Sequence, residues 1–160
     1  MIFVTVGTHE QQFDRLICAV DNYASLHEDE EVIIQSGFCT FHPTCCKSKA
    51  FMSYEDMAQC MKEADVVICH GGPSTFIEAL IEGKTPIVVP REARYGEHIN
   101  DHQKEFVTLV AEAGMNIIPV FNIGELPHAI EKARLRGGNL SFHSNNSIFC
   151  SELQKIINRL

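Results

Sequence analysis

Asp65-Val-Val-Ile-Cys-His-Gly-Gly-Pro-Ser-Thr-Phe-Ile-Glu-Ala-Leu-Ile-Glu82 holds a strand, a turn and a helix in eighteen residues. Val66 to Cys69 is a continuous apolar run, β-branched at three of four positions, as expected of a strand buried on both faces. Gly71-Gly72 turns the chain. Pro73 suits the first helical position, where a missing N–H costs nothing, and Ser74 and Thr75 place hydroxyls in the first turn. The helix is predicted to run to about Glu82, with Gly83 at C′. A strand that passes through glycines into a helix N-terminus presents free N–H groups and about half a positive charge above the sheet. That favours an anion, and phosphate suits best. Ser74 and Glu78 lie four apart on one helix face, and a carboxylate there can accept both hydroxyls of a ribose. An ordinary capped βα turn would read the same, so this stretch does not establish a site.

Alternating strands and helices extend in both directions from this unit. Residues 1–7 are a first strand and Gly7-Thr8-His9 a turn. A helix is expected over about Gln11–Ala24, with Phe13, Leu16, Ile17 and Val20 on its apolar face. Its single glycine rules out a G-x-G-x-x-G fingerprint, and there is no P-loop. Val32–Gln35 is a second strand, Phe38–Lys49 an irregular loop, and Ala50–Met52 a short strand. Ser53 with Asp56, an acidic variant of the capping box, starts a helix to about Glu63. Pro86–Val89 is a further strand, and Arg91–Asn100 a loop leaving its C-terminal end. Asn100 or Asp101 caps a helix to about Ala113, ended by Gly114. Asn116–Val120 is the last strand, and residues 124–135 a helix entered through Pro127. The pattern predicts an α/β, Rossmann-like parallel sheet with helices on both faces. Ligands in such folds bind outside the carboxyl ends of the strands. Gly7–His9, His70–Gly72 and Pro90-Arg91 all fall there.

A chain of 160 residues with 45% hydrophobic and 21% charged residues is of ordinary globular composition. No apolar run approaches the ~20 residues of a membrane span. The N-terminal residues lack a basic n-region, so they are expected to be a strand and not a signal peptide, which points to the cytosol. A formal charge of −8 argues against non-specific nucleic-acid binding, leaving an anionic ligand dependent on helix termini and placed basic groups such as Arg91. Seven cysteines lack the spacing of a disulfide framework. Cys39, His42, Cys45 and Cys46 form one knot, where structural zinc sites usually pair two separated couples, so no metal site is expected. His9 and His70 are candidate donors to a phosphate or leaving-group oxygen. Arg91 to Gln103, dense in Asn, Asp, His and Gln, suits a sugar, whose hydroxyls need both donors and acceptors.

His70-Gly71-Gly72-x-Ser74-Thr75-x-x-Glu78-Ala79, Gly83-x-x-Pro86, Pro90-Arg91 and Asn100-Asp101-His102-Gln103 together resemble the C-terminal nucleotide-sugar-binding domain of GT-B glycosyltransferases, family 28. Val4-Thr5-Val6-Gly7-Thr8 with Phe13-Asp14-Arg15-Leu16 narrows the resemblance to free-standing catalytic subunits of two-part UDP-sugar transferases. These include the UDP-GlcNAc transferase of N-glycan assembly and bacterial relatives in capsular and exopolysaccharide synthesis. The match covers nearly all of residues 1–120. It implies the C-terminal half of a GT-B enzyme, its donor domain over 1–135, while the polar Gly/Asn/Ser-rich residues 136–146 read as a linker and Ser147 as the cap of an apolar terminal helix over 147–160. It also implies an inverting hexosyltransferase moving galactose, glucose or GlcNAc from UDP to a polyprenyl diphosphate-linked saccharide, without a metal.

By position, the resemblance makes Gly7, Thr8, His9, Gly72, Ser74 and Thr75 the diphosphate contacts and Glu78 the ribose contact. Asn100, Asp101 and Gln103 would hold the sugar, with His70, Gly71, Arg91 and His102 completing the donor site. His9 and Glu78 are the candidate catalytic residues, and His9 or Arg91 would offset leaving-group charge. One domain cannot exclude water from a reacting sugar, so a membrane-anchored, acceptor-binding partner is expected at the inner membrane face, supplying the other wall, with the general base on either chain. The terminal helix either docks on that partner or closes the domain's own core, and whether the isolated chain is a homo-oligomer through the partner surface is left open by the sequence. Two rivals remain: a non-catalytic subunit that binds nucleotide-sugar and enhances a partner transferase, and a UDP-sugar epimerase fragment, which the lack of a second domain disfavours.

Overall fold

The computed structural model describes residues 1–136. The expected linker beyond Arg136 and the expected terminal helix over 147–160 lie outside the described residues. Six parallel strands form one sheet: β1 Ile2–Thr5, β2 Val32–Gln35, β3 Lys47–Lys49, β4 Val66–His70, β5 Ile87–Val89 and β6 Ile118–Pro119. Their order is β3-β2-β1-β4-β5-β6. The connections run one way from β1 to β3 and the other way from β4 to β6. The order therefore reverses between β1 and β4, opening a crevice at their carboxyl ends. Ile2–Thr5 pair in register with Val66–Cys69, which sets Gly7 beside Gly71 and Gly72.

Side chains that alternate along each strand supply two cores. Ile2, Val4, Val66, Ile68, Ile87 and Val89 pack against α1 (Asp14–Ser25) and α5 (Leu126–Arg136) through Leu16, Ile17, Val20, Leu126 and Ile130. The opposite face meets α2 (Tyr54–Glu63), α3 (Pro73–Ile81) and α4 (His102–Glu112), with Phe3 and Val67 against Met61 and Ala79, and Cys69 and Val88 against Phe76, Leu80 and Val107. Burying each such side chain is worth roughly 1.5–3 kcal/mol. The apolar runs that read as doubly buried strands are doubly buried.

Three boundaries differ from expectation. Helix α1 begins at Asp14 and not Gln11, because the Gln11 and Gln12 carbonyls accept from the Arg91 guanidinium and the Gln12 side chain takes the Asp14 N–H (2.7 Å). The short strand expected at Ala50–Met52 lies instead at Lys47–Lys49, paired with Ile33–Gln35. All three of its residues are exposed: it is a charged edge strand, whose lysines discourage pairing with another chain, so hydropathy could not reveal it. The last strand is only Ile118–Pro119, shorter than Asn116–Val120. Elsewhere the local chemistry holds. Ser53 caps α2 by accepting from the Asp56 N–H (3.0 Å), while the Asp56 carboxylate turns to Lys49 rather than closing a full capping box. Pro73 opens α3 behind Gly72, and Gly83 follows it at φ 72°.

Candidate functional site

A cleft of about 220 Å³ lies over the carboxyl ends of β1, β2 and β4. Its polar floor is Thr5, Gly7, Thr8, Gln35 and His70, with Ser74 and Thr75 of α3 at one side and Phe51, Met52 and Met57 as an apolar wall. Gln35 holds the floor together. Its Oε1 accepts from the Thr5 hydroxyl (2.6 Å) and the Gly7 N–H (3.2 Å), and its Nε2 donates to the Gly7 and Ala50 carbonyls (3.1 and 2.8 Å). Gly7 has φ 75°, which an L side chain resists. A Cβ at Gly7 would lie 2.6 Å from His70 Cε1, and one at Gly72 would strike the same ring. The two glycines therefore make room for an imidazole between the turns. Burial, reinforced by the Arg91 charge, pushes His70 down to about 4, so it is neutral at physiological pH. Its Nδ1 is buried without a hydrogen-bond partner.

Above this floor stands the N-terminus of α3. No side chain caps it, so its first N–H groups are open to an acceptor in the cleft. A second, apolar groove of about 250 Å³ adjoins Gly71, Gly72 and Pro73 and is closed by His102, Gln103 and Phe106 of α4. Gln103 Oε1 accepts from both the Gly71 and Arg91 N–H groups (3.1 Å each). That fixes which end of its amide is oxygen and leaves its NH₂ as a donor.

The sequence candidates thus divide. Gly7, Thr8, His70, Ser74 and Thr75 share the cleft, and Gly71, Gly72, His102 and Gln103 line the adjoining groove. Glu78 is exposed one turn further along α3, outside the cleft lining. Asn100 and Asp101 serve the loop: Asn100 Oδ1 accepts from the His102 N–H (3.3 Å), and Asp101 Oδ1 from the Ala93 N–H (2.8 Å). Asp101 occupies the N-cap position of α4 without capping it through its side chain.

Arg91, expected at the site as an anion's counter-charge, is elsewhere. It is fully buried, and its Nη atoms donate to the carbonyls of Gln11 (2.8 Å), Gln12 (2.9 Å), Glu97 (3.1 Å) and Val6 (2.9 Å), with Phe13 beneath it at 4.8 Å. Two buried carboxylates accompany it. Glu97 takes a bidentate pair from Arg15 (2.9 Å each), and Glu92 pairs with Arg94 and Lys104. Together these groups strap the 91–101 loop to the β1–α1 turn.

His9, on that turn, faces His98 from the loop at a ring separation of 4.7 Å. Burial, His98 and Arg91 hold His9 below its ordinary value against the opposing pull of Glu10. The sequence reading held His98 only as part of the polar Arg91–Gln103 stretch, and it missed Thr5, Gln35 and the Phe51–Met52–Met57 wall as site residues. Of these, only Gln35 carried a signal, as a polar residue ending an apolar strand at the sheet's carboxyl edge. The cysteine knot is drawn onto α1 by two carboxylates. Asp14 accepts from the Thr40 and Phe41 N–H groups, and Asp21 from those of Thr44 and Cys45. Among the described residues, no group of three His, Cys, Asp or Glu side chains is placed to hold a metal.

The six-stranded doubly wound sheet with its crevice at the β1/β4 reversal makes this a Rossmann-like α/β domain of the GT-B kind. Two solved glycosyltransferases share the fold. The glycotransferase of kitacinnamycin aligns over 83% of this chain and 34% of its own, with TM-score 0.57 and 15% identity. SnogD from Streptomyces nogalater aligns over 84% and 36%, with TM-score 0.50 and 18% identity. The chain belongs to the glycosyltransferase family 28 C-terminal domain family, whose model matches residues 1–160. It is 32% identical over 123 residues to UDP-N-acetylglucosamine transferase subunit ALG13 of Homo sapiens, and 30% identical over 122 residues to that of Mus musculus. These alignments take in 71% and 70% of the chain but only 10% of each relative.

Proposed function

We propose that the chain is the donor-binding, catalytic subunit of an inverting UDP-sugar hexosyltransferase. The observation that carries this reading is the crevice itself, where the Gly7 turn and the uncapped α3 N-terminus converge on one cleft at the strand reversal. The α3 N–H groups with Ser74 and Thr75 suit a diphosphate. The Phe51, Met52 and Met57 wall suits the flat face of a base, and Gln103, with its NH₂ still to donate, suits a sugar hydroxyl. Glu78 takes the ribose from the exposed face of α3. An acceptor hydroxyl attacks the anomeric carbon as the bond to the diphosphate oxygen breaks and UDP leaves with the electron pair. Because the Gln11 N–H donates to its Nδ1 (3.2 Å), neutral His9 keeps its proton on Nε2, where it can donate to that oxygen.

The hexose is galactose, glucose or GlcNAc, and the acceptor a polyprenyl-linked saccharide of capsular or exopolysaccharide synthesis. The acceptor is brought by a membrane-anchored partner that also supplies the base. No helix among the described residues is long and apolar enough to cross a membrane, in keeping with a subunit held at the inner face by its partner. Calorimetric titration with UDP, ADP and GDP, first without metal and then with magnesium, tests the donor site. Expected is selective, metal-independent UDP binding, weakened about tenfold or more in Ser74→Ala/Thr75→Val and in Glu78→Ala. Preference for ADP, or no nucleotide binding by the chain with its partner, overturns the reading. Turnover that survives both His9→Ala and Glu78→Ala would make the chain a non-catalytic enhancer.

A further inference from the structure

The His9–His98 pair is built with more care than a chance contact between loops. Each imidazole receives a backbone N–H from two residues ahead at its Nδ1: Gln11 to His9 at 3.2 Å, and Asn100 to His98 at 3.4 Å. Both rings are thereby set in the tautomer that carries its proton on Nε2. Neither Nε2 has a hydrogen-bond partner among the described residues, and neither is a buried orphan, so both reach solvent. The rings lie 4.7 Å apart and tilted at 39°. Arg91 holds them so, since one guanidinium binds the carbonyls of Val6, Gln11 and Gln12 around His9 and that of Glu97 beside His98. Two N–H donors without a partner among the described residues thus stand side by side just past the Thr8 edge of the cleft, outside its lining and open to an anionic oxygen.

We propose that His98 is a diphosphate-binding residue that works with His9 as a two-imidazole clamp on the distal phosphate of the bound nucleotide. The proposal rests on the donor-site reading and adds to it a residue and the phosphate it recognises. A clamp on the distal phosphate distinguishes nucleotides by phosphate number. His98→Ala is expected to weaken UDP about tenfold and to leave UMP and uridine unchanged, with His98→Gln, which keeps an N–H donor, recovering part of the loss. In wild type, the imidazole nitrogen resonances of both His9 and His98 are expected to move on adding UDP and to stay still on adding uridine. UDP affinity unchanged in His98→Ala overturns the clamp and leaves the donor site standing. An equal loss for UDP and uridine also overturns it, since that is the mark of a loop displaced. Wild-type chain that binds no UDP even together with its partner removes the donor-site reading, and the clamp with it.

Discussion

Arg91 shows how one side chain can organise a site without entering it. Its guanidinium is taken wholly out of water, its Nη groups matched by four carbonyl oxygens and its Nε buried without a partner among the described residues. Arg91→Met leaves those carbonyls short of a donor, and a destabilisation of about 3 kcal/mol or more is expected, read as a lowered urea midpoint at unchanged slope. Arg91→Lys should recover little, because a single ammonium cannot span acceptors on both loops as the fork does. Sequence could not assign this role. A basic residue in a polar loop looks the same whether it meets a ligand or four carbonyls from residues 6, 11, 12 and 97. His70 gives a pH signature. Its pKa falls from 6.5 to about 4 in the folded protein, so below pH 6.5 the unfolded chain binds more protons and stability declines as pH drops. The contribution, fully present above 6.5, should be lost between about 6.5 and 4 at up to about 1.4 kcal/mol per pH unit. His70→Asn should flatten that part of the stability profile in urea titrations at stepped pH.

At the scale of elements, the unit from β4 to α3 could be read almost residue by residue, because its signals are local: β-branched residues, a glycine turn, proline at the first helical position. Strand β3 could not, since an exposed Lys-Ser-Lys edge owes its conformation to backbone pairing with β2. The loop before it is ordered by α1, through contacts more than twenty residues away in sequence. Burial pushes the Asp21 carboxyl up, but donors from Thr44 and Cys45 outweigh it and hold the group below its ordinary value. The neighbouring Cys46 thiol is pushed by burial up to about 12 and Cys39 to about 11, so both should react slowly with a disulfide reagent at pH 8. Asp21→Ala removes the anchor from α1. Its expected cost is about 1–3 kcal/mol, with faster labelling of Cys46 by mass spectrometry and little change at Cys69, which is buried within the sheet.

For the whole molecule, the doubly wound fold followed from alternating strand and helix patterns, while the strand order, and so the exact crevice, follows only from the pairing of β1 with β4. The described lining of the cleft and groove is assembled from turns up to about a hundred residues apart, all within residues 1–136. A chain ending at Asn145 is therefore expected to bind UDP as the full chain does, measured by the same titration, while failing to co-purify with the partner. Recovery of a tight complex would remove the terminal segment as the docking element.

The imidazole seated between Gly7 and Gly72 couples the first turn to a second one more than sixty residues later in the chain. Volume added at Gly72, whose φ is −75°, must be surrendered at position 70, so a substitution there becomes tolerable beside a smaller neighbour, whereas Gly7 at φ 75° stays strained whatever the ring does. Gly72→Ala should be rescued by His70→Ser, in a double-mutant cycle far from additive. Chains that carry a side chain at position 72 should therefore lack the ring at 70, a covariation in the second turn that the first turn's glycine does not follow.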